Sequence, residues 1–410
     1  MDVCLLLTTG GQLMSKFVRR GLTATAAAAV GALALAGTAF AAPNDNVGGG
    51  NVNLDNLSVD SDDPQLYRFA GEDRVQTALD AAKRTTGWGD TVILANSQVF
   101  SDALAAAPLA DTLDAPILLN SPGTAAVNGD VLAYIKTNFD NVILVGGTDV
   151  FGEQLRLSLV AEGLSVDRVA GVNRYQTAVG LATAAYFTMD DNSNVNIFLA
   201  DGTNFPDALA AGAAAANASG VVLLTKGSAG LDKFTFDAVV DGQWTWEGDT
   251  VNTHGSIITV GGPAKTATAQ GWNETPIESD FDHAGADRYE TAAILADEYF
   301  ANWNGALDNE QDQGFTNVVL ASGENFPDGV VAGGYAANVD GPLLLTRESS
   351  LTKVTADLLD QHVYWNIERN GSGVIIDPHG PIQNVFMFGG PEGSLSKNVG
   401  QQVQDILWEF

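Results

Sequence analysis

The chain has 410 residues, 19 basic against 50 acidic side chains for a formal net charge of −31, and 45 glycines in a composition that is 45% hydrophobic. That length accommodates two or three domains, and the apolar fraction excludes a disordered chain. So acidic a surface excludes nucleic-acid binding through a general basic patch and suits a soluble, cation-attracting protein that works in salt.

From Met14 the sequence reads MSKFVRRGLTATAAAAVGALALAGTAFAA, a basic start and an apolar run, with small residues Ala39 and Ala41 flanking Phe40. This is the pattern of a secretory signal peptide with an A-x-A cleavage site, expected to span residues 1–42. The residues before Met14 add nothing to that signal, so Met14 competes with Met1 as the start. Arg19-Arg20 admits twin-arginine export, but the weak apolar context after the pair favours general secretion. Removal of 1–42 leaves a net charge of −33 and no cysteine, since Cys4 is the only one in the chain. A disulfide framework is then excluded, and the cores must carry stability. No later apolar stretch is long enough to span a bilayer, so the product is expected not to be an integral membrane protein. The Gly-, Asn- and Asp-rich stretch 43–65 reads as a flexible acidic leader.

Beyond the leader the chain repeats itself. The phrase GEDRVQTA at 71–78 returns as GVNRYQTA at 171–178 and GADRYETA at 285–292. In each copy it opens an amphipathic helix, with apolar residues such as Tyr175, Ala178, Val179 and Ala182 on one face and Asp73, Asn173 or Asp287 placed to cap it. An apolar strand follows (TVILA at 91–95, NIFLA at 196–200, NVVLA at 317–321). A second helix phrase comes next: FSDALAAAPLA at 100–110, FPDALAAGAAA at 205–215 and FPDGVVAGGYA at 326–336. Pro206 and Pro327 suit its first turn, and Asp102, Asp207 and Asp328 suit its positive end. Then come a strand of PILLN type and a last strand closing on paired glycines (Gly146-Gly147, Gly261-Gly262, Gly389-Gly390). Helices alternating with short, non-alternating apolar strands predict a parallel sheet covered on both faces. The fold class is therefore α/β, with three tandem small modules of three strands each over 66–164, 165–279 and 280–410. Extra length near 240–256, 302–315 and 362–384 reads as surface insertions. Modules this small and edge-exposed are expected to pack on one another.

With both phrases and the Gly-Gly strand in place, residues 66–410 resemble the bacterial cell-wall-binding repeat type 2 family. The resemblance implies that the three modules pack as an intramolecular pseudo-threefold trimer. It also implies that they hold an exported protein to the wall non-covalently through an anionic secondary wall polymer, at the cell surface or in a surface layer. Three departures stand out. Val75 replaces the expected aromatic, Ser101 replaces proline, and Asp282 replaces the arginine found at Arg68 and Arg168.

After removal of 1–42 the chain keeps nine arginines, and five of them (Arg68, Arg74, Arg168, Arg174, Arg288) occupy repeat positions. A cation in the first turn of a helix is slightly disfavoured by the dipole, so helix stability is not its purpose. A guanidinium clamps a phosphate or carboxylate with two parallel hydrogen bonds, which lysine cannot do. These five, with Tyr175 and Tyr289, are the candidate polymer-binding residues. The competing reading pairs the arginines with Asp102, Asp207 or Asp328 as staples between modules, and both roles are compatible in one side chain. Those aspartates and Thr77, Thr177 and Thr291 are the candidate interface and capping residues. The paired glycines favour a tight strand-to-helix turn over anion binding, because no phosphate-loop pattern surrounds them. His254, His283, His362 and His379 form no metal-binding spacing, and no nucleophile elbow or catalytic cysteine is present. No catalytic residue, metal or cofactor is expected. The expected partners are the anionic wall polymer and copies of the chain itself in a surface array bridged by divalent cations. A wall-remodelling role, as an amidase or its modifier, stays open as the alternative.

Overall fold

The computed structural model describes residues 52–53, 64–189, 194–240, 244–246, 249–251, 254–301, 315–363, 368–369, 375–377, 382–390 and 394–408. The expected signal peptide and nearly all of the leader lie outside them, as do 302–314 and parts of the other two insertions. Short antiparallel pairings join 244–246 to 249–251 and 368–369 to 375–377 within those insertions.

The main strands, in chain order, are β1 (Gln65–Phe69), β2 (Thr91–Asn96), β3 (Ile117–Asn120), β4 (Asn141–Val145), β5 (Ser165–Val169) and β6 (Val195–Asp201). They continue as β7 (Gly220–Thr225), β8 (His254–Val260), β9 (Phe281–His283), β10 (Asn317–Ser322), β11 (Leu343–Thr346) and β12 (Asn384–Phe388). They form three parallel sheets of four strands, ordered β3-β2-β4-β5, β7-β6-β8-β9 and β11-β10-β12-β1. The first two strands of each module are buried along their length, apart from the half-buried Asn196, as their non-alternating apolar sequences require for a sheet covered on both faces.

The fourth strand is a correction to the three-strand reading. It comes from the residues just before the next Arg phrase, so each sheet is completed by the following repeat. These strands lie at sheet edges and carry charge (SVDRV, FDH), and β5 is only partly buried, which leaves them without a strong apolar signal. The third sheet is completed by β1. Gln65 pairs with Asn384 and the register runs to Phe69 opposite Phe388. The chain is thereby closed on itself.

Six helices position the site: α1 (Arg74–Arg84), α2 (Ala107–Thr112), α3 (Arg174–Thr188), α4 (Pro206–Asn217), α5 (Arg288–Ala296) and α6 (Phe326–Asn338). Helices α2, α4 and α6 pack against one another at the centre. Their alanines and glycines are what permit this approach. A Cβ on Gly212 of α4 would sit 2.9 Å from the Cβ of Ala107 in α2, and one on Gly334 of α6 would sit 2.5 Å from Ile117. The first module departs from the other two. Residues 101–105 form turns and α2 begins only at Ala107. Ser101 lacks the proline that starts α4 and α6, and Pro108 cannot lie deep inside a helix, so the helix restarts with Pro108 in its first turn.

Candidate functional site

The Arg phrase is a loop folded onto its own helix. A Cβ on Gly71 would meet the backbone of Gln76 at 2.4 Å, and Gly171 and Gly285 are as tightly placed, so only glycine fits. The backbone N–H of each glycine donates to the threonine hydroxyl of its phrase, at 3.1 Å for Thr77, 3.0 Å for Thr177 and 3.1 Å for Thr291. Asp73, Asn173 and Asp287 cap the helices by accepting from the N–H groups of Gln76, Gln176 and Glu290. This leaves the arginine at the first helical position, reaching across the carboxyl end of its own sheet.

There the three arginines behave alike. Nη1 of Arg74 donates to the carbonyl of Ser97 at 2.8 Å, and Arg174 and Arg288 donate to the carbonyls of Gly202 and Gly323. Each acceptor lies just beyond the first strand of its module. Each guanidinium also lies over a phenylalanine of the preceding module: Arg74 is 5.8 Å from the Phe326 ring, Arg174 5.9 Å from Phe100, and Arg288 5.8 Å from Phe205. The three phenylalanines meet each other, with ring centroids 5.8 Å apart for Phe100 and Phe205, 5.3 Å for Phe100 and Phe326, and 6.1 Å for Phe205 and Phe326. The contacts run in one direction around a common centre. Arginines and phenylalanines are all half-buried. Among the described residues the carbonyls are the only hydrogen-bond partners of the three guanidinium groups, and none of the ion pairs involves them. Among the described residues, most of the N–H donors of each fork therefore have no protein partner.

Asp102, Asp207 and Asp328 stand near the arginines of this ring. Each presses a carboxylate against the first glycine of its own Gly-Gly pair, within 3.1 Å of where a Cβ would be on Gly146 and Gly389 and closer still on Gly261. Those glycines have φ of 114°, 81° and 122°, which also favours glycine. Burial pushes all three carboxyls up. For Asp102 the Thr177 hydroxyl and Arg174 partly offset it, and for Asp328 the Ser394 hydroxyl and Arg74 do so. Asp207 is raised to about 6 by burial and then by Asp201, against the pull of Arg288. Each aspartate thus feels the arginine of the following module without forming a direct ion pair.

Arg68 and Arg168 are placed differently. Both are buried, at 8% exposure. Arg68 donates to the carbonyls of Gly389 (2.9 Å) and Leu395 (2.8 Å), and Arg168 to those of Gly146 (2.7 Å) and Phe151 (2.6 Å). They tie the fourth strand to the Gly-Gly turn. Asp282 takes this position in the second sheet. Burial there raises its carboxyl, but hydrogen bonds from Thr259 and Ser279 and an ion pair with Lys265 at 3.1 Å outweigh it and hold it below the usual range. Tyr175 and Tyr289 follow the ring arginines and lie against Gly202 and Gly323. The phenylalanines went unremarked in the sequence, although each is the first letter of the repeated F-x-D phrase. Among the described residues no group of three or more His, Cys, Asp or Glu is placed to hold a metal, and no helix is long and apolar enough to cross a membrane.

The chain is similar to N-acetylmuramoyl-L-alanine amidase LytC of Bacillus subtilis (strain 168), at 26% identity over 71% of this chain and 52% of that protein. It is similar to the amidase enhancer of the same organism at 33% identity, over 39% of this chain and 21% of that one. This chain thus spans about half or less of these relatives. Among solved structures, Cwp6 from Clostridium difficile superposes with a TM-score of 0.64 at 20% identity, covering 84% of this chain and 48% of that one. Cwp8 from the same organism gives 0.61 at 19%, covering 83% and 51%. At that identity the likeness is one of fold. The family model for cell wall binding domain 2 matches residues 68–156, 168–268 and 283–400, one match per module. With three matched repeats over most of its length, the chain belongs to the cell wall binding domain 2 family.

Proposed function

We propose that this protein is exported and held at the cell wall by non-covalent binding of an anionic secondary wall polymer, at the face where Arg74, Arg174 and Arg288 surround the three phenylalanines. The observation that carries this reading is the half-used guanidinium. Each is fixed by one carbonyl and a neighbouring ring, and most of its donors have no protein partner among the described residues. In a chain of net charge −31, long-range attraction cannot hold a polyanion. Short charge-assisted bonds can, each worth about 1.5–3 kcal/mol when well formed. Such positions on one face act together through raised effective concentration. Arg68 and Arg168, first grouped with them, contribute indirectly by setting the Gly-Gly turns.

The likeness to an amidase and an amidase enhancer supports a second reading, in which the modules serve wall remodelling. Incubation with isolated walls separates the two. Co-sedimentation without loss of turbidity is expected, and clearing of the suspension would favour the second reading. Mild acid stripping of the secondary polymer should abolish sedimentation. Arg174→Lys, which keeps the charge and loses the fork, should weaken it about tenfold. Retention on stripped walls would overturn the polymer reading.

A further inference from the structure

The three arginine positions are not equally built. Tyr175 follows Arg174 and Tyr289 follows Arg288, but Val75 follows Arg74. The residue whose carbonyl receives the arginine changes in step, being Gly202 and Gly323 in the tyrosine modules and Ser97 in the first. A Cβ on Gly202 would lie 3.1 Å from Cε1 of Tyr175, and one on Gly323 would lie 2.7 Å from Cε1 of Tyr289. Glycine therefore makes room for the ring to lie against the strand end beside the guanidinium. Where valine stands instead, position 97 carries a side chain and Ser97 is buried. Among the described residues neither tyrosine hydroxyl has a hydrogen-bond partner. In the third module Arg347 adds a second cation, 5.9 Å from the Tyr289 ring.

We infer that the chain has two polymer subsites rather than three, formed by Arg174 with Tyr175 and by Arg288 with Tyr289, and that the Arg74–Val75 position holds the modules together without taking a polymer unit. This rests on the binding reading above. A guanidinium and a phenol side by side suit a unit with an anionic group next to a ring hydroxyl, because the fork takes the anion and the phenol oxygen exchanges a hydrogen bond with the hydroxyl. The first module offers the fork alone.

The test is sedimentation of the full chain with isolated walls of the producing organism, before and after acid stripping, with thermal melting of every variant. Arg174→Gln and Arg288→Gln are each expected to weaken binding about tenfold or more, and Arg74→Gln less than about twofold. Tyr175→Phe and Tyr289→Phe, which remove one oxygen each, are expected to weaken it severalfold with unchanged melting. They carry the test should a glutamine variant melt early. The double change Val75→Tyr with Ser97→Gly should strengthen binding, whereas Val75→Tyr alone should be destabilised by the clash with the Ser97 side chain. An Arg74→Gln loss equal to the other two, or indifference to both tyrosine changes, overturns the two-subsite inference and leaves the polymer reading standing. Unchanged binding in all three arginine variants overturns the polymer reading itself.

Discussion

Arg168 and Arg174 lie six residues apart and differ in what their forks hold. Both Nη atoms of Arg168 bond to buried carbonyls, whereas Arg174 spends one donor on Gly202. Lysine at 168 cannot reach both sides of the Gly146-Gly147 turn, so carbonyls are left unpaired in a buried place. Arg168→Lys is expected to cost about 2–4 kcal/mol, read as an early thermal transition, while Arg174→Lys melts close to the parent. Equal melting of the two variants would contradict this division. Asp207 supplies a second check. Its carboxyl is raised to about 6 from 3.8, so between those values the folded chain binds more protons than the unfolded one. Stability from this group therefore falls as pH rises from about 4 to about 6 and stays at the lower level above. Asp207→Asn removes that loss. Its melting advantage over the parent should be present at pH 7.5 and absent near pH 3.5, and an advantage equal at both would remove the proposed cause.

The helices and strands show how far local patterning reaches. Caps, apolar periodicity and proline placed five of the six site helices near their observed starts, because those signals act within a few residues. Helix α2 broke the pattern through Ser101 and Pro108, both visible in sequence: without a proline at 101 to start the helix, Pro108 sets its first turn. Edge strands were missed because a stretch of three to five residues that carries charge is too short to show a period. Packing of α2, α4 and α6 gives an element-level prediction. Gly212→Leu pushes a side chain into Ala107 and should destabilise the chain by about 1–3 kcal/mol, although leucine is the better helix former. A rise in melting temperature would mean that the helix is not confined on that face.

At the scale of the molecule, closure through β1 couples the two ends of the fold. A chain beginning at Ala70 loses the strand paired with β12 and the Arg68 bonds to Gly389 and Leu395. Hydrogen exchange should then quicken in 384–388 and 395–407 while 91–96 and 117–120 stay protected, placing the damage in the module farthest along the sequence from the cut. Loss of protection confined to the first module would refute this. Net charge also acts at this scale. A surface at −31 repels its own copies until salt or divalent cations screen or bridge it, so an array-forming protein should scatter more light as calcium rises from micromolar to millimolar. Scattering that stays flat with calcium and with molar salt would count against an array.

The repeat phrases by themselves determined the α/β class, the three modules and the residues worth watching, since glycine, cap and apolar signals are local and were written three times. They could not divide five like arginines into buried staples and half-free forks, because that depends on which carbonyls come near each guanidinium after the modules meet. Phe100, Phe205 and Phe326 likewise acquire their role only when three distant segments converge. The same holds for β1, whose five residues carry no mark of pairing with the far end of the chain. Only the tertiary structure decided these points, because hydrogen bonding and ring contact are set by distance in space, and the residues concerned are far apart in sequence.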